Sequence, residues 1–234
     1  MPSRFFARLA PLALLVLAGC GESSRVVEPG APPIETLPAS FSVRYDSTLG
    51  TPAFMYDTNA SGVLQPGVPA PYRSDEAFLL VRQFVVNHAP VFQYRVGLDD
   101  FVVTTSLGGN GQNTAKMQQT YRGLPVNAMG YAGTVIAGGQ VVQMNGRFMP
   151  NIMVSTLPLF HESKVAPVAE LAVRHATTQV VGAPSLVITT YDDVPRLAWA
   201  QKVANVNASW MTWTVYVDAT DGQVLGVGEN FILN

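Results

Sequence analysis

The chain has 234 residues, 48% of them hydrophobic and 13% charged, with a formal net charge of −2. A chain of this make-up buries one sizeable core or two small ones, which excludes a disordered tail, and its charge excludes the basic footprint of a nucleic-acid binder. Cys20 is its only cysteine, so an internal disulfide and a cysteine-rich metal site are excluded as well.

Residues 1–19 open with Arg4 and Arg8 and continue into the apolar run PLALLVLAG, the pattern of a signal peptide and too short to span a bilayer. The run LVLAGC resembles the bacterial lipobox, which implies cleavage before Cys20 and acylation of that cysteine. Gly21 stands where an inner-membrane retention Asp is found, which slightly favours the outer membrane. Taking Arg4 and Arg8 from the 14 basic residues leaves 12 against 16 acidic, a net of −4. Anchoring would therefore come from acyl chains and not from basic residues. Residues 20–40 mix Pro, Gly, Ser and acids without periodicity, as a flexible tether does.

Residues 41–72 read as a β-arm and linker: FSVRY alternates, AFMY is a second short apolar run, and QPGVPAPYR is a proline-rich break. Ser74 is expected to cap a helix with Asp75 and Glu76 in its first turn and a broad apolar face behind them, closed by Pro90. FVVTTSL, AKMQQTYRG, YAGTVIA and QVVQMNGRFM then form an antiparallel meander punctuated by GGNG, RGLP and AGGQ. GGNGQN lacks the Lys-Ser or Lys-Thr pair of a phosphate loop. Ser163 is expected to cap a second helix, KVAPVAELAVRHATTQVV, with Pro167 tolerated near its first turn and Gly182 as its stop. The strands SLVITTY, RLAWAQKVA, WMTWTVYVD and QVLGVGE follow.

Two stretches carry a family likeness. MQQTYRGLPVNAMGYAG, Met117 to Gly133, resembles the strand and turn of the fungalysin/thermolysin propeptide domain, and LAWAQKV with WTVYVDATDGQVL resembles the closing strands of the adjoining PepSY domain. GTPAF, Gly50 to Phe54, is similar to the opening of such a propeptide. On this resemblance the scaffold residues are Gln119, Tyr121, Gly123, Pro125, Val126, Asp218 and Gly222. The chain departs from the family at Asn127, Ala128, Met129 and Gly130. The resemblance implies an α+β fold of two small modules, each a helix packed on an antiparallel sheet, the first propeptide-like over 73–156 and the second PepSY- or cystatin-like over 157–234.

Reactive constellations are sparse in the sequence. His88, His161 and His175 do not form HExxH, since Val165 stands where a second ligand would follow His161-Glu162, and no metal or other cofactor is implied. No serine lies in a Gly-x-Ser-x-Gly elbow. Asp192-Asp193 and Asp99-Asp100 read as turn residues, and the sequons at Asn59 and Asn207 carry little meaning behind a bacterial lipobox. The chain ends soon after the expected PepSY hairpin, where thermolysin-type precursors continue into the protease. The expected function is thus non-enzymatic: a lipid-anchored, propeptide-like inhibitor or folding chaperone of a secreted thermolysin-like metalloprotease, acting in trans. Two alternatives stand beside it, a structural or binding lipoprotein of an envelope assembly and a truncated zymogen pro-region. Trp210 and Trp213, in ANVNASWMTW, are the candidate partner-binding residues.

Overall fold

Turns with left-handed residues organise the chain into hairpins. Asn110-Gly111, Arg122-Gly123, Gly138-Gly139 and Asp192-Asp193 all have positive φ at both positions, the geometry that two-residue hairpin turns need to match strand twist. The computed structural model describes residues 36–60, 65–173 and 177–231. The proposed signal peptide, Cys20, most of the tether, His175 and the last three residues lie outside that set. In chain order the elements are β1 (Phe41–Tyr45), β2 (Pro52–Asp57), α1 (Ser74–Asn87), α2 (Ala89–Phe92), β3 (Asp99–Gly109), β4 (Gln112–Tyr121), β5 (Leu124–Ile136) and β6 (Val141–Arg147), then a 3₁₀ turn (Glu162–Lys164), α3 (Val165–Val173), β7 (Thr178–Tyr191), β8 (Val194–Asn205), β9 (Ala208–Asp218) and β10 (Val224–Phe231).

The expectation of two separate helix-on-sheet modules is overturned. Strands take 51% of the described residues and helices 16%, and the strands form one curled sheet. Its main path runs β1-β2-β6-β5-β7-β8-β9-β10, with β3 and β4 branching off beside β5. The link is β5, whose C-terminal part lies between β4 and β6 while Val126 near its start pairs in parallel with Ile188 of β7. A bulge makes this possible. Gln118 pairs with Gly130 and Thr120 with Pro125, so the residues between Pro125 and Gly130 are looped out of the β4 ladder, with Ala128 left-handed at φ 57°.

Apolar residues fill two clusters on this one sheet. The first gathers Val81 and Val85 of α1 with Phe92, Phe101, Met117, Tyr131 and Phe148; the second gathers Val165 and Ala169 of α3 with Val126, Ile188, Trp199, Val215 and Val217. Each buried aliphatic or aromatic side chain contributes about 1.5–3 kcal/mol.

Both helix starts differ in detail from expectation. Arg73, not Ser74, holds the cap position of α1, and its backbone N–H donates to the Glu76 carboxylate at 3.0 Å. His161, not Ser163, caps the 3₁₀ turn, its Nδ1 accepting from the Ser163 N–H at 3.2 Å. The expected helix up to Gly182 is also too long. Val173 is the last helical residue of α3, and Thr178 already begins β7. The β-branched and apolar residues around Gln179 gain more by pairing with β8 than by continuing a helix. Gly182 lies instead in the break of the β7 ladder between Val181 and Ser185.

Candidate functional site

The family-like residues gather where β5 changes neighbours. Gln119 is fully buried at the β4–β5 bulge, and its amide completes the missing ladder: Nε2 donates to the Met149 carbonyl at 2.8 Å and Oε1 accepts from the Met149 N–H at 2.9 Å. Tyr121 follows, buried, with the guanidinium groups of Arg95 and Arg122 over its ring at 5.5 and 5.4 Å. Gly123 takes the second turn position at φ 82°, Pro125 pairs with Thr120, and Val126 crosses to β7. Asn127, at a position departing from the family pattern, ties three strands together. Its Nδ2 donates to Thr189 Oγ1 at 3.3 Å, and Tyr216 Oη donates to its Oδ1 at 3.0 Å. Burial holds the Tyr216 phenol above its usual range.

The second motif closes the last hairpin. Asp218 is buried, accepting from the Thr220 N–H at 2.7 Å and facing Arg196 at 3.6 Å. Gly222, at φ 84°, donates its N–H to the Asp218 carbonyl. A Cβ at this glycine would sit 2.4 Å from the Phe160 ring, so the turn requires glycine both for conformation and for space. Phe160 is held in turn: its N–H donates to the Ala219 carbonyl and its carbonyl accepts from Trp199 Nε1 at 2.8 Å. Tyr121 and Val126 of the first motif share one apolar cluster with Val217 and Ala219, which flank Asp218 in the second. Their separation in sequence hides this.

The two tryptophans part company. Trp213 is buried against Val203 of β8, whereas Trp210 is half exposed near the β8–β9 turn. The sequence also leaves other features out of view. Gln201 is a second fully buried glutamine at a ladder break, its Nε2 donating to the carbonyls of Val181 and Gly182 at 3.3 and 3.2 Å. A cavity of about 310 Å³ lies beside the β5 bulge, lined by Leu49, Met129, Arg147, Asn151, Thr190 and Asp193 among others. No local sequence pattern marks Gln119 or Gln201, because their partners lie 30 and 20 positions away along the chain.

Asp99 and Asp100 are not turn residues. They begin β3 and serve different arginines: Asp99 is bridged by both Nε and Nη2 of Arg95 at 3.0 and 3.1 Å, and Asp100 by Nε and Nη2 of Arg82 at 2.6 and 3.1 Å. Asp192-Asp193 does form a turn. His88, buried between α1 and α2, has Nδ1 2.8 Å from the Phe84 carbonyl, and exposed His161 bonds Ser163 Oγ. Among the described residues no group of three His, Cys, Asp or Glu side chains is placed to hold a metal, and no helix is long and apolar enough to cross a membrane. What this arrangement offers chemically is a shaped, hydrogen-bonded surface.

Residues 99–148 match the Fungalysin/Thermolysin Propeptide Motif. The match coincides with the meander β3 to β6 and includes Gln119, Tyr121, Gly123, Pro125 and Val126. Asp218 and Gly222 lie beyond it. No curated protein matches the chain. Among solved structures it is similar to the Bacillus megaterium YpeB C-terminal domain, at 12% identity and a TM-score of 0.39, over 77% of this chain and 73% of that one.

Proposed function

We propose that the protein is a non-catalytic, propeptide-like binding protein that acts in trans on a thermolysin-like metalloprotease, as its inhibitor or folding chaperone, while held to the cell envelope by a lipid on Cys20. The observation that carries this reading is the propeptide motif over residues 99–148, a segment that folds as the four-stranded meander β3 to β6. Propeptides of this class work by shape: a preformed surface templates or blocks the protease, and standard-size contact suffices. The PepSY likeness of the C-terminal strands, the lipobox at Cys20 and the outer-membrane placement belong to the same proposal.

Two measurements test it. Thermolysin mixed with the purified full chain should hydrolyse a peptide substrate more slowly, or the denatured protease should refold in higher yield. No effect on either across several thermolysin-type proteases refutes the trans role. Growth on radiolabelled palmitate should label the wild-type chain and not Cys20→Ser; equal labelling refutes the anchor.

A further inference from the structure

The two halves of the sheet meet at the cavity beside the β5 bulge, whose volume is about 310 Å³. One side is lined by Thr48 and Leu49, from the turn between β1 and β2, with Arg147 at the end of β6 and Asn151 just beyond it. The other is lined by Thr190 and Asp193 of the β7–β8 hairpin. Met129 and Met149, both buried, complete the lining with thioethers. A hollow between structural units, with an apolar base and a few convergent polar groups, is where small ligands bind.

This hollow holds one cation and one anion that do not pair with each other. Arg147 is aimed by Asp46, whose Oδ2 accepts from its Nε at 2.9 Å while Oδ1 accepts from the N–H groups of Thr48 and Leu49 at 2.9 and 3.0 Å. Asp46 is thereby committed to the turn, and among the described residues no acceptor is bound to either Nη of Arg147. None of the described residues donates to the Asp193 carboxylate either. A guanidinium with both Nη groups available is shaped to take a carboxylate.

Backbone strain gathers on the same walls. Asp193, at φ 61°, stands second in a hairpin turn that favours glycine there, so its carboxylate is present at a conformational cost. Across the hollow Asn151 is left-handed too, at φ 55°, and its Nδ2 donates to Oε1 of Gln93, a third such residue at φ 53°. Left-handed residues other than glycine collect at ligand clamps, where the surrounding structure holds them.

We infer that this cavity binds a small zwitterion, a free amino acid or a dipeptide. Its carboxylate lies on the Nη groups of Arg147, its ammonium on Asp193, and an aliphatic side chain against Leu49, Met129 and Met149, while Thr48 and Thr190 add a hydroxyl to each wall. This goes beyond the propeptide reading and does not depend on a protease partner.

The test is isothermal titration calorimetry of the full chain with leucine and with leucyl-leucine. Saturable binding of at least one is expected, and the tighter of the two shows which spacing of charges the cavity takes. The N-acetyl and the C-amide derivatives of that probe, each lacking one charge, should bind roughly tenfold or more weakly. Asp193→Asn, which keeps a residue tolerant of the turn, should weaken the zwitterion by a similar factor and leave the N-acetyl derivative unaffected. Arg147→Gln should weaken the zwitterion and leave the C-amide unaffected. Absence of saturable binding by both probes overturns the inference. So does equal binding of the blocked derivatives, and so does a variant that weakens the zwitterion and its matched derivative alike.

Discussion

Gln119 is the residue on which the sheet junction depends most directly, and replacing it with leucine isolates its hydrogen-bonding role. The two side chains are close in volume, so Gln119→Leu creates little cavity. It does remove both bonds to Met149, whose N–H and C=O then remain with no partner in a site where Gln119 is fully buried and Met149 is 3% exposed. Each of the two orphaned buried groups costs about 1–3 kcal/mol, so a loss of roughly 2–6 kcal/mol is expected. For a chain of this size that lowers the melting temperature by roughly 4–24 °C. Gln119→Glu adds a check on the direction of the bonds. A carboxylate still accepts from the Met149 N–H but faces the Met149 carbonyl, whereas the protonated acid donates to it as glutamine does. Burial and this bond both raise the folded-state pKa of the new acid above its usual value near 4.3. Its stability is therefore fully present below that value and is lost as pH rises through the folded pKa. Urea denaturation followed by circular dichroism, at pH 4 and pH 7, reads both variants. A Gln119→Leu protein within about 0.5 kcal/mol of wild type, or a Gln119→Glu protein insensitive to pH, refutes the assignment.

Removing Arg95 with Arg95→Leu leaves Asp99, whose side chain is 0% exposed, without its bidentate partner, and a loss of about 3–5 kcal/mol by urea denaturation is expected. Gly222→Ala combines strain at φ 84° with a clash on Phe160, and roughly 2–5 kcal/mol should be lost in the same measurement. Trp213→Ala should cost about 3–5 kcal/mol, as buried aromatics do, while Trp210→Ala should cost far less; equal losses would contradict their different burial. The pH profile of stability should fall at both ends. Asp46, held below its usual 3.8 first by the Leu49 N–H and then by Thr48 and Arg147, and Asp57, held low first by the Asn59 N–H, stabilise the fold above that value, and the contribution is lost as pH falls through their folded pKa values. Burial pushes the Tyr94 phenol up to about 12 and Tyr131 higher still, so their contribution is complete below pH 10 and is lost as pH rises further.

Much of the local structure was legible because its causes are local. A two-residue turn with positive φ depends on its own residues, so Gly138-Gly139 could be read directly, and so could α1 and the meander β3 to β6. The propeptide likeness of Gln119 to Val126 was legible too, and residues 99–148 match that motif. The tasks of those residues were not. Gln119 looks like an ordinary polar strand residue until Met149, 30 positions away, is placed against it. Asp99-Asp100 looks like a turn until Arg95, from the loop just before β3, and Arg82, from α1, are placed against the two carboxylates.

The amino-acid sequence alone thus determined the turns, the existence of most strands and the identity of the propeptide-like segment, since each rests on chemistry within a few neighbouring residues. Only the tertiary structure decided that the strands join into one curled sheet, because that outcome rests on the pairing of Val126 with Ile188, 62 residues apart. It also decided which tryptophan is buried. Strand pairing and burial arise from side chains meeting across the fold, and a periodic apolar pattern specifies that a face will be covered without specifying by what.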